Sequence, residues 1–143
     1  MSTDAALSYP SRPGEVRATA ALAAIGAWTI IVPYLAVLLG LEVDVAAIIE
    51  VVDHVIPGLV VVATGLYLRA RAQRRALASH RPALLAAGAA FVAGFWVLAT
   101  HAPLIGDAAL SDQPWDAAIW HSIAALPIVV LACWCVIRST PDP

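Results

Sequence analysis

The residues best equipped for chemistry are Glu50, Asp53 and His54, in the stretch Glu50-Val-Val-Asp53-His54-Val-Ile-Pro57-Gly58. Helical spacing of i, i+3 and i+4 puts the three on one face. An imidazole next to carboxylates can exchange a proton near neutral pH, or ligate a metal through a ring nitrogen. A mostly apolar run, Leu59 to Leu68, follows directly. The same figure returns as Trp120-His121-Ser-Ile-Ala-Ala125, again ahead of an apolar run, and His101 stands in Thr100-His101-Ala102-Pro103.

Four readings of these groups are open. His54 and His121 could be the two axial ligands of a haem b held between helices. His54, His101 and His121 with Glu50 or Asp53 form a donor set suited to zinc or copper, although no segment carries His-x-x-x-His. The same groups could line a polar outer pocket that passes a proton or ion. The plainest reading is local satisfaction, with His54 paired to Asp53 or Glu50 and His121 hydrogen-bonded to a neighbouring helix. If His54 and His121 share a site, their rings should lie within about 10 Å of each other.

Classical enzyme chemistry finds little support. Ser122 follows His121 directly, so the two diverge around a helix and make no nucleophile–base pair. The chain has no glycine-rich phosphate loop and no metalloprotease motif. Cys133 and Cys135, at i and i+2, point to different sides of a helix and are poorly placed for a mutual disulfide. His80 reads as a solvated loop residue. The expected function is that of a non-enzymatic accessory or interaction component, with a membrane-protein partner or a second copy of itself as its associate.

The elements that must position these groups are membrane spans. Of 143 residues, 62% are hydrophobic and 13% charged, too apolar for an ordinary soluble domain. Four apolar stretches, roughly Ala18–Leu41, Val45–Leu68, Pro82–Leu104 and Trp115–Ile137, are each long enough to cross a bilayer as a helix. The fold expected is all-α, a bundle of four transmembrane helices in the cell membrane. A charged face in such a helix must turn toward protein or water.

All the basic side chains are arginines, and they fall at one end of these stretches: Arg12 and Arg17, then Arg69, Arg71, Arg74, Arg75 and Arg81, then Arg138. Glu42, Asp44, Asp107, Asp112 and Asp116 fall at the other. The positive-inside rule makes the arginine side, and with it both termini, cytoplasmic. The arginines lack interleaved aromatics, so no nucleic-acid partner is indicated. The lipid bilayer is the partner that composition requires.

Taken in order, residues 1–16 read as a mobile cytoplasmic tail and 17–71 as a first transmembrane hairpin. An Arg-rich cytoplasmic loop, 72–81, leads to a second hairpin, 82–138, and 139–143 form a short tail. Pro33 is expected to kink the first helix, and Gly106 to Pro114 reads as an acidic, turn-like loop. Ala86, Ala90 and Gly94, spaced by four, offer a small-residue face for close helix packing.

The two hairpins match each other. Gly26-Ala-Trp28 matches Gly94-Phe-Trp96 at an offset of 68, and at 67 His54 matches His121, Leu59 matches Leu126, Tyr67 matches Trp134 and Arg71 matches Arg138. Both enter from the same side, which makes a parallel repeat about an axis along the membrane normal. In this the chain resembles the SPW-repeat family of small integral membrane proteins, built from one or two helical hairpins. Val32-Pro33-Tyr34 and Ala102-Pro103-Leu104 stand near the place of the family's Ser-Pro-Trp. His54-Val-Ile-Pro-Gly58 and His121 to Ala125 stand in the second helix of each repeat. The resemblance covers about residues 20 to 138 and implies architecture, with no settled activity.

Overall fold

The computed structural model describes residues 13–40, 47–74, 80–111, 119 and 122–139. The described residues are helical apart from a few turn positions, with no strand among them. Helix α1 runs Pro13–Leu38; a single turn, α2 (Ala47–Glu50), leads into a π-helical turn, Val51–Val55; then come α3 (Ile56–Arg74), α4 (His80–Leu110) and α5 (Ala125–Ser139). Three segments are long and apolar enough to cross a membrane: Pro13–Leu35, Val51–Gln73 and His80–Leu110. The last apolar helix is shorter, Ala125–Arg138.

Helix ends follow local chemistry. Gly40, at φ 67°, takes the left-handed conformation that closes α1, its N–H donating to the Val37 carbonyl at 3.0 Å. Pro57 has no N–H to donate to the carbonyl four residues back, that of Asp53. The chain widens into the π turn at that point, before α3 proceeds. Pro103, by contrast, does not end α4, which continues through Gly106 and Asp107 to Leu110. The acidic loop expected from Gly106 therefore begins as helix. Likewise α3 carries on to Arg74 and α4 starts at His80, so much of the Arg-rich connection is helical.

The hairpins α1–α3 and α4–α5 are the most closely packed pairs, and α3–α4 and α1–α5 complete the ring. Contacts across α1 and α3 run in opposite chain directions, Gly58 against Gly26 and Ile30, and Gly65 against Thr19 and Ala23, so these helices are antiparallel. A Cβ on Gly65 would lie 2.6 Å from the Ala23 nitrogen and 2.8 Å from the Thr19 carbonyl oxygen. Only a glycine permits that backbone approach. The core is correspondingly made of small residues with a few branched ones, among them Leu22, Val61, Ala87, Ala90, Ile128 and Ala132. Large apolar side chains such as Leu66, Leu85, Val92, Leu126 and Ile137 are turned outward. That inside-out distribution is the one a hydrocarbon solvent permits.

Candidate functional site

Two buried polar side chains, His54 and His101, meet across two helical elements. His54 lies on the π turn and is 2% exposed; His101 lies on α4 and is 4% exposed. Their Nε2 atoms are 3.2 Å apart, with ring centroids at 4.8 Å and planes inclined by 64°. Chain geometry accounts for the meeting. His54 lies 20 residues before Arg74 and His101 lies 20 residues after Arg81. Each is about 30 Å of helix from the α3–α4 connection, on antiparallel neighbours.

The hydrogen-bond partners fix the protons. His101 Nδ1 is 2.8 Å from the carbonyl oxygen of Val97, one turn earlier, and a carbonyl only accepts. Nδ1 of His101 therefore carries a hydrogen, and in the neutral ring Nε2 carries the lone pair. His54 then donates from its Nε2 to His101 Nε2. Thr100 sits beside them, its Oγ1 3.1 Å from His101 Nδ1 while donating back to the Trp96 and Val97 carbonyls at 3.1 and 3.2 Å. One excess proton fits the pair with that bridging hydrogen kept, since Nδ1 of His54 is the nitrogen left to take it. Two do not, because both Nε2 atoms would then present hydrogens at 3.2 Å.

The remaining candidates are placed as follows. Asp53 is half-buried on the π turn, next to His54. That turn stands where a regular helix would put Glu50, Asp53 and His54 on one face. Glu50 ends α2, and nothing beyond its backbone is described. His121 lies outside the described residues, and its distance from His54 with it. Its neighbour Ser122 has a buried Oγ with no hydrogen-bond partner among the described residues. Among those residues no three His, Cys, Asp or Glu side chains gather closely enough to hold a metal by themselves. Cys133 and Cys135 are free thiols, half-buried and buried respectively.

Two contributors to this site carry no chemical signal in the sequence. The Val97 carbonyl selects the His101 tautomer, yet any residue at i−4 would supply the same atom. The π turn that aims His54 is signalled only by the proline three residues on. No family model, no curated protein and no solved structure matches this chain.

Proposed function

We propose that this chain is a small non-enzymatic integral membrane protein whose buried His54–His101 pair takes up and passes a proton within the bundle. The carrying observation is the 3.2 Å contact between two imidazoles from different helices, both withdrawn from the surface. An ionisable pair buried in a membrane-spanning bundle is costly to maintain and marks a proton or ion site by default. The pair has two states of different charge, and moving between them needs only one proton. An accessory role accords with this, the charge state of the pair being passed to whichever membrane protein the bundle joins.

At the same end of the bundle the other described titratable side chains are Asp53 on the π turn, Tyr34 on α1 and Asp107 on α4, while Glu15 and Arg17 on α1, Tyr67, Arg69 and Arg71 on α3, and His80 and Arg81 on α4 lie toward the other end. Tyr34 and Asp107 are exposed and Asp53 half-buried. In proteoliposomes carrying a pH-sensitive dye, wild-type protein should dissipate an imposed pH gradient. His54→Ala, His101→Ala and the double variant should all lose that activity to the same extent. Undiminished flux in either single variant would refute the reading.

The architecture belonging to this proposal is four spans in two tandem hairpins, both termini cytoplasmic, as in the SPW-repeat family that the sequence resembles. Packing supports the repeat. A Cβ on Gly26 would meet Val61 and Val62, and one on Gly94 would meet Ile128 and Val129, which are the repeat equivalents of those valines at an offset of 67.

A further inference from the structure

The same nitrogens are arranged as metal ligands are. Zinc binds imidazole nitrogens at about 2.0–2.1 Å, so two such ligands on a tetrahedral ion lie about 3.3–3.4 Å apart. The observed Nε2–Nε2 separation is 3.2 Å. An ion bound at ordinary distance to both would sit about 1.3 Å to one side of the line joining them. The second feature is independent of that spacing. His101 gives its Nδ1 hydrogen to the Val97 carbonyl, the outer-shell bond that metal-bound histidines make and that leaves Nε2 as the ligating lone pair.

We propose that His54 and His101 supply two adjacent ligands for one divalent transition metal ion of the zinc class, bound in competition with the excess proton. The proposal rests on the histidine pair but not on proton passage. The protons balance in either starting state. From the neutral pair, the hydrogen on His54 Nε2 moves to Nδ1 of the same ring and none is released. From the pair holding an excess proton, one proton leaves to water as the ion binds. Two coordination positions stay with water, and both protein ligands are neutral, so the site keeps the full charge of the ion. Asp53, on the same turn, is the described carboxylate nearest in sequence to offset it. Borderline ions that accept imidazole are thereby favoured over magnesium or calcium, which demand more oxygen ligands.

The test uses tag-free, full-length protein in lipid nanodiscs, with Cys133→Ala and Cys135→Ala in place to remove competing thiolates. Zinc is titrated against a chromophoric chelator, and cobalt is used to read coordination from its visible absorption. One zinc per chain is expected, with affinity falling at least tenfold in His54→Gln and in His101→Gln and falling as pH is lowered. Helical content by circular dichroism checks that these polar variants still fold. Zinc binding that survives in both variants, or no binding by wild type above the double variant, would overturn the proposal. If zinc fails to bind while the metal-free protein still loses proton flux in His54→Ala, only the metal site is wrong. If neither zinc binding nor flux depends on the histidines, both readings fall.

Discussion

Val97 decides which nitrogen of His101 is available, because its carbonyl holds the Nδ1 hydrogen and leaves Nε2 to face His54. Removing either ring strands a buried polar atom on the other, at a cost of about 1–3 kcal/mol. In unfolding experiments in detergent, His54→Ala and His101→Ala should each destabilise by that order. The double variant should fall short of their sum by about 0.5–3 kcal/mol, as residues in contact do. Strict additivity would mean that the rings do not interact. His54 and His101 are legible in the sequence as polar residues in apolar surroundings and as members of one donor set, but their direct contact is not. Repeat reasoning couples His54 to His121, its equivalent at an offset of 67. The residue equivalent to His101 at 68 is Pro33, a buried side chain with no proton to exchange. The contact therefore breaks the internal symmetry, and symmetry was the guide.

The hairpins owe their closeness to glycines whose neighbours differ in how far they can yield. At Gly65 the obstacles to a Cβ are backbone atoms of α1, whereas at Gly94 they are the side chains of Ile128 and Val129. Gly88 has nothing within 4 Å. Gly65→Ala should accordingly cost about 1–3 kcal/mol, Gly94→Ala less, and Gly88→Ala close to nothing, read as thermal stability in detergent. Gly94→Leu should destabilise as strongly as Gly65→Ala; equal stability of Gly88 and Gly65 variants would contradict the packing described. The spacing Ala86, Ala90 and Gly94 makes the buried face of α4 partly legible, and Ala90 and Gly94 are buried there. Its neighbouring face, Ala83, Ala87 and Ala90, is buried too, since at 3.6 residues per turn a stripe drifts around a long helix. Thr64 adds a polar link between α3 and α4, donating to the Ala86 carbonyl at 3.2 Å. Thr64→Val, which keeps the shape, should cost about 0.6 kcal/mol. Helix lengths were less legible than helix identities. Pro103 and Arg71 look like boundaries, yet α4 continues to Leu110 and α3 to Arg74.

At the scale of the whole molecule, composition alone indicates the environment. Apolar length predicts spans, and three described helices have it. The proposed orientation rests on charge asymmetry, which labelling checks directly. In a Cys133→Ala, Cys135→Ala background, a membrane-impermeant thiol reagent applied to intact cells should modify Gln113→Cys and spare Arg74→Cys. Both positions reacting, or the opposite one, would refute four spans with cytoplasmic termini.

The central claim is that one hydrogen bridges His54 and His101 inside the bundle. The most direct measurement is nitrogen-15 NMR of histidine-labelled protein in bicelles, with each ring assigned by its alanine variant. The account predicts a scalar coupling across the hydrogen bond between the Nε2 atoms of His54 and His101, with His101 Nδ1 protonated throughout. Two rings without that coupling, each titrating as if the other were absent, would contradict it.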